Sequence, residues 1–512
     1  MVILTKKFKT ENLNLKEANM RFKPKIILVL ILSLLLFTSV SEAALEIDRG
    51  PIYGALRKLL PFENLEFAGY LKNETSLRMA HGLDEFMKEA NIAQLELEYS
   101  FNENVQFFTI LKWFYDAVFE LENRYDRDPQ WESKTNKKLK YPEKMQWLRE
   151  CYLDILTDKL DLRLGKQQVV WGTADGVRIL DIVNPLDYRE WTLKNYIDTR
   201  IPLWMINAEA QLMPNGQLQL LFIPDYEANY YPPAGAPFTL RTVRLGTEAM
   251  QALTQARVTT ATIDEKPAHT FENTKIGLRW RSIIEGHGFE YTLNYLNTYD
   301  FASAAYTMMQ GVGWVPTAFE LTRRAEKIEV YGGTFSKTIT EGILIPGLAK
   351  GWTLRGELAY IKGGAMNYGT DKNIAGTANV SMCNYVLGFD KSFFTNWLFS
   401  FQFIQMIAQP QSEYDKRLYT LLNGATRGPL DKIETTLTLL VSTDFMHERL
   451  KPQVLVLYGD DNDWRISPKV SYEISDQWLA TAGLHIFEGK EQQLNGQFDK
   501  NDQIFLELKY TF

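Results

Sequence analysis

The sequence predicts an all-β fold: a transmembrane, antiparallel up-and-down β-barrel of about 18 strands (16–18), with short periplasmic turns and long extracellular loops. Three observations carry this. Segments of two-residue apolar/polar alternation recur along the chain. Short and long connections between them tend to alternate, which suits an up-and-down barrel and which a Greek-key sandwich has no reason to show. After Ala43 no apolar run approaches the roughly 20 residues that a membrane helix needs.

The chain opens with a leader. Arg21, Lys23 and Lys25 form a basic region, Ile26 to Phe37 is apolar except for Ser33, and Ser41-Glu42-Ala43 offers small residues for cleavage. Residues 1–43 read as an N-terminal extension and secretory signal peptide, with translation starting at Met20 and the mature chain at Ala44. No Cys follows the cleavage site, which argues against a lipoprotein anchor. Residues 44–64 read as a periplasmic lead-in, where Leu56, Leu59, Leu60 and Phe62 form an apolar helical face, and residues 65–512 as one barrel domain.

Strands are expected at 65–77, 91–101, 104–119, 147–157, 160–170, 204–213, 216–224, 274–283 and 289–298, then at 327–338, 352–362, 381–391, 396–407, 432–443, 450–458, 463–473, 478–487 and 502–512. Trp464, Ile466, Pro468, Val470 and Tyr472, for example, alternate with Arg465, Ser467, Lys469, Ser471 and Glu473. The last strand places Ile504, Leu506, Leu508, Tyr510 and Phe512 on a lipid face. Gln503, Glu507, Lys509 and Thr511 fall on the other, with Phe505 as the apolar exception. This ending resembles the C-terminal signal of bacterial outer-membrane proteins, which implies that Tyr510 and Phe512 are read by the barrel-assembly machinery. Long connections are expected at 120–146, 171–203, 225–273, 299–326, 363–380 and 408–431, with a helical stretch at Thr247–Val258.

Composition narrows the function. Cys151 and Cys383 are the only 2 cysteines, too few for a disulfide scaffold, and both read as small apolar residues, buried or facing lipid. The formal net charge is −7 and becomes more acidic without residues 1–43, which excludes nucleic acid as an expected partner. No G-x-S-x-G or H-E-x-x-H is present, and His81, His269, His287, His447 and His485 are scattered. Asp175-Gly176 and Asp460-Asp461-Asn462-Asp463 lack the spacing of a calcium loop. No catalytic residue, cofactor or metal is expected.

One segment carries a family resemblance. Gly165-Lys166-Gln167-Gln168-Val169-Val170-Trp171-Gly172, followed by Asn184-Pro185-Leu186-Asp187, resembles a proteobacterial outer-membrane barrel family with a G-K-Q-x-V-x-W-G … N-P-x-D pattern. Most of its members have no known function, and it is distantly like alginate-export-type porins. The resemblance implies a porin-like barrel in the bacterial outer membrane and little more. Here Gly165 and Gly172 bracket a strand end, where missing side chains permit close backbone approach, and Asn184-Pro185 opens a turn.

The long connection after this strand carries Asp175, Arg178, Asp181, Asp187, Arg189, Glu190, Lys194, Asp198 and Arg200. Such a mixture can fold inward as a constriction that sets selectivity by field and width, or cover the rim with its charges paired. Tyr226, Tyr230, Tyr231, Pro232 and Pro233 form either a solute platform or packing within a folded loop. The leading function is an outer-membrane channel for small solutes, surrounded by lipid, with 171–203 as its candidate constriction. The alternatives are a barrel that scaffolds or sheaths partner proteins, or an outer-membrane hydrolase.

Overall fold

The computed structural model describes residues 50–79, 85–121, 147–232, 236–268, 270–286, 288–312, 315–339, 351–370, 373–410 and 420–512. The expected signal peptide, His81, His269, His287 and Pro233 lie outside them.

Helix α1, Gly50–Leu59, precedes the barrel. Leu59 and Phe62 are exposed; the helix meets the barrel through Tyr53, its ring 4.4 Å from that of Phe67, and through Arg57, which donates to the Leu65 carbonyl at 2.6 Å. The barrel strands are β1 Leu65–Arg78, β2 Phe86–Asn102, β3 Val105–Asp116, β4 Leu148–Leu156, β5 Leu160–Gln167, β6 Leu203–Met213, β7 Gly216–Ile223, β8 Lys275–Ile284 and β9 Phe289–Tyr299. They continue as β10 Lys327–Thr338, β11 Trp352–Gly369, β12 Ile374–Phe393, β13 Trp397–Pro410, β14 Ile433–Ser442, β15 Leu450–Gly459, β16 Asp463–Glu473, β17 Trp478–Glu488 and β18 Gln503–Thr511.

Each strand pairs antiparallel with its neighbours in sequence, and β18 closes on β1 from Tyr70–Thr511 to Arg78–Gln503. Closure removes every sheet edge, as a bilayer requires of a β-structure. The result is the expected barrel of 18 strands. Outward side chains such as Leu220, Leu278, Leu358, Leu439, Ile504 and Leu506 are exposed. A closed barrel with an apolar outer surface belongs in the outer membrane of a Gram-negative cell. Cys151 and Cys383 sit on this outer side, half-buried and unpaired.

The rhythm of connections departs from expectation twice. Residues 363–380 are mostly strand, since β11 reaches Gly369 and β12 starts at Ile374; the alternation weakens there because Gly363 and Gly364 interrupt the register. On the short-turn side, β10 ends at Thr338 and β11 begins only at Trp352. The loops also contain a three-stranded sheet, in which Val315–Arg324 pairs antiparallel with Ala304–Val312 and parallel with Thr259–Glu265. The helix expected at Thr247–Val258 is α2, Arg241–Gln255.

Candidate functional site

The segment between β5 and β6 packs against inward-facing side chains. Val169, Trp171, Ile179, Leu180 and Val183 share one buried cluster with Leu221 of β7, Leu296 of β9, Val330 of β10, Ala359 of β11, Val386 of β12 and Ile404 of β13. Gly332 makes room: a Cβ there would stand 2.5 Å from Leu180 Cδ1. Polar contacts fix the same side. Glu357 of β11 accepts the N–H groups of Thr173 at 2.6 Å, Ala174 at 3.2 Å and Leu180 at 2.5 Å. Gln402 of β13 both accepts from and donates to the Asp175 backbone.

The residues that suggested a family form the clasp of this segment. Gln167, fully buried, donates towards the carbonyls of Arg163, Gly165 and Met205. Gly165 has φ 140°, and a Cβ would stand 2.2 Å from the Cys151 carbonyl oxygen, so glycine is required. Trp171 Nε1 donates to Gln219 at 2.8 Å. Asn184 accepts from Val169 N–H at 2.8 Å and donates to the Ile201 carbonyl at 3.0 Å, joining the two ends of the loop.

The nine charged residues singled out from the sequence divide by role. Asp181 and Arg200 form a buried ion pair at 2.6 Å. Arg178 donates to the carbonyls of Asp181 and Asn184, so its charge caps the loop's own backbone. Asp175 pairs with Arg355 of β11. Asp187 and Arg189 form a two-bond pair at 2.8 and 2.5 Å. Burial alone would raise the Asp187 pKa; Arg189 overrides it and holds it down to about 2. Glu190 contacts Lys88 of β2 and Lys194, each at 2.5 Å. Asp198 meets Lys112 of β3 at 3.1 Å. Burial opposes its charge, but Lys112, Lys72 and Arg149 together hold its pKa below the ordinary range.

A cavity of about 1940 Å³ lies between this loop and the wall of β16–β18 and β1–β4. Asp175, Asp187, Arg189, Glu190, Asp198 and Arg200 line it; Arg178 and Asp181 are not among the lining residues. The wall supplies Lys72, Glu74, Lys88, Lys112, Arg465, Lys469, Glu507 and Lys509. These share the inner face because register partners do, as Lys72–Lys509 and Glu74–Glu507 show. Sequence reasoning placed several on the polar face but did not single them out, since nothing local marks which inward charges meet the loop. Phe505 also faces this cavity, stacked on His485 at 4.7 Å.

Of the tyrosines of the next loop, Tyr230 lines the cavity and the other two pack. Tyr231 stacks on Tyr188 at 5.6 Å, and Tyr226 lies in the buried cluster above Lys275, whose Nζ is 5.6 Å from the ring centre. The acids at 460–463 act on neighbouring chain: Asp463 accepts from Asn495 and Gly496 N–H, and Asp460 from Thr435 N–H. Among the described residues, no group of three or more His, Cys, Asp or Glu is arranged to hold a metal.

Solved proteins with similar chain paths include OccAB4 of Acinetobacter baumannii, at 11% identity over 88% of this chain and 98% of that one, with a TM-score of 0.47. OpdK of Pseudomonas aeruginosa, solved with vanillate, matches at 9% over 88% and 99%, with a TM-score of 0.45. A loop-deletion mutant of OmpT, an outer membrane protein of Vibrio cholerae, matches at 9% over 88% and 99%, with a TM-score of 0.37. Likeness at this level carries no argument about solutes. No curated protein matches the chain. Over residues 86–512, from β2 to the last residue and including the whole inward loop, the chain belongs to the family described as a protein of unknown function, DUF1302.

Proposed function

We propose that the protein is an outer-membrane channel for small solutes, constricted by the loop between β5 and β6. The supporting observation is the eccentric cavity of about 1940 Å³, bounded by barrel wall on one side and by Asp187, Arg189, Glu190, Asp198 and Arg200 on the other. Opposed acids and bases at a narrow point set selectivity through local field and width. The pathway has no catalytic step. The long-loop end is extracellular, and Tyr510 and Phe512 serve the barrel-assembly machinery.

Planar-bilayer recording tests this. Arg189→Gln with Lys194→Gln removes two bases that line the cavity and shifts ion selectivity towards cations. Deleting Ala174–Asp198 raises single-channel conductance. A folded wild-type barrel that carries no resolvable current refutes the channel; an unchanged selectivity in the double variant refutes the constriction.

A further inference from the structure

One inward residue of the last strand breaks the polar rule of its face. Phe505 lies between Gln503 and Glu507 on the cavity side of β18, the apolar exception of that strand. Its row in the sheet crosses five strands: Lys469 of β16, Gly483 of β17, Phe505, Ser76 of β1 and Lys88 of β2 pair in turn. Small residues therefore flank the ring on both sides, and a lysine closes the row at each end. The ring leans over Gly483, where a Cβ would stand 2.7 Å from its Cε1 and Cζ. It stacks on His485, with 4.7 Å between ring centres and 11° between planes. A 3.0 Å hydrogen bond between His485 Nδ1 and Ser467 Oγ holds that imidazole in place. Both rings line the cavity.

The inward loop comes to the wall at this height. Glu190 of the loop meets Lys88, which ends the row of Phe505. Nearer the extracellular end of the same wall, Arg465 donates to the Thr192 carbonyl at 3.1 Å. A solute that passes between loop and wall here passes beside the Phe505 ring. The charges at this place do not balance. Glu74 and Glu190 are taken by Lys72, Lys88 and Lys194. Lys469 has neither an ion pair nor a hydrogen bond among the described residues. Arg465 is hydrogen-bonded to Thr192, Lys509 lies over the Tyr70 ring at 4.5 Å, and Glu507 is the acid left beside them. Covering Gly483 accounts for an aromatic ring in the sheet; it gives no reason for the surplus of bases around that ring.

We propose that Phe505 and Lys469 form a subsite for ring-bearing anions, in which an aromatic ring carries its charged group directly. The solute ring extends the His485–Phe505 stack on the side that lines the cavity, and its anionic group meets Lys469. The spacing sets the size. Phe505 leans over β17, and β16, which carries Lys469, is the next strand, about 4.8 Å away. An acid group borne on the ring itself spans that step. Offset stacking favours an aromatic ring over a saturated ring of similar size. The surplus of bases disfavours a cation of the same shape. This inference rests on the channel reading and deepens it by naming a solute class and the residues that select it.

The test uses the full barrel in phosphatidylcholine membranes with probes of permanent charge. These are benzenesulfonate, cyclohexanesulfonate with its saturated ring, and phenyltrimethylammonium with the opposite charge. Equilibrium binding, net of protein-free vesicles, and block of single-channel current are both read. Benzenesulfonate is expected to bind about three- to tenfold more tightly than cyclohexanesulfonate, the worth of one stacked pair, and more tightly than the cation. Phe505→Leu removes the preference between the two sulfonates, and Phe505→Tyr retains it. Lys469→Gln weakens both sulfonates about tenfold, as loss of a hydrogen bond to a charged group does, and keeps the preference for the aromatic ring. A ring that serves only to cover Gly483 gives a lower refolding stability in Phe505→Leu and no preference between the sulfonates in any protein. Equal binding of the two sulfonates by the wild type overturns the subsite. So does a preference that survives Phe505→Leu, or an affinity unchanged in Lys469→Gln. The wild-type comparison decides even where Phe505→Leu does not fold. Ion current without ring-selective block leaves a channel and removes the subsite. Ring-selective binding with the expected variant pattern but no current keeps the subsite and removes the aqueous pathway.

Discussion

Glu357→Ala isolates what holds the inward loop to the far wall. The carboxylate is 3% exposed and accepts three backbone N–H groups, those of Thr173, Ala174 and Leu180. Hydrogen bonds to a charged group contribute about 1.5–3 kcal/mol each. Against their sum stands the several kcal/mol needed to bury a carboxylate, which the variant no longer incurs. Water from the cavity can also reach part of the vacated space. A net loss of about 2–4 kcal/mol in the free energy of loop opening follows. At 1.4 kcal/mol per tenfold, amide hydrogen exchange at Thr173, Ala174 and Leu180 should accelerate by about 30- to 1000-fold. Glu357→Gln keeps one acceptor oxygen and should fall between the variant and the wild type. The measurement is residue-resolved exchange on the folded barrel, with β14 and β15 amides as internal reference. Exchange at the three amides within threefold of wild type, in a folded Glu357→Ala protein, would refute this account of the loop.

Three further outcomes are expected. Leu506→Arg places a base on the lipid face and should cost about 2–4 kcal/mol in a refolding titration, whereas Glu507→Gln on the cavity side should cost much less; equal costs would mean the facing is inverted. Removing Phe512 deletes the two 3.0 Å backbone bonds with Gly69 and the ring that covers that glycine, so barrel assembly should fall while secretion persists; insertion at wild-type level speaks against both roles. Asp300, in the loop after β9, has its pKa raised to about 6, chiefly by burial. Its charged form is disfavoured in the fold, so its contribution is intact below the unfolded value near 3.8 and is lost as pH rises through about 6. Asp300→Asn should therefore stabilise the protein at pH 8 and leave it unchanged at pH 3; a constant difference across that range in thermal unfolding contradicts the shift.

The barrel was legible because lipid and water impose a two-residue period on every wall strand, and Leu278 or Leu506 carries that signal locally. The extra length of β11 and β12 was not, because Gly363 and Gly364 break the alternation where the register shifts. The three-stranded loop sheet escaped for another reason: Thr259–Glu265 finds its partner, Val315–Arg324, only through the fold. Within the loop, the sequence shows which residues are charged but not whom they meet. Arg178 looks like a selectivity residue and caps backbone carbonyls, while Glu357 looks like any inward acid and anchors the segment. Asn184 and Gln167 stood out through a resemblance; their role as clasp depends on bonds to residues 169, 201 and 205.

The loop between β5 and β6 also constrains the order of folding. Its anchors arrive late in the chain: Thr173 waits for Glu357, 184 positions on, Asp175 for Gln402, 227 on, and Thr192 for Arg465, 273 on. When β5 and β6 first pair, the apolar side of Ile179, Leu180 and Val183 has no surface to cover it. Contacts of such long sequence separation form slowly, since loop closure must precede the gain. The segment must therefore be carried unsatisfied until at least β13 is in place, and the Arg465 contact with Thr192 completes only as the last strands assemble. A barrel built this way spends its early assembly with a sticky, unfilled interior, and any factor that guides it must shelter the inside of the nascent sheet as well as its edges.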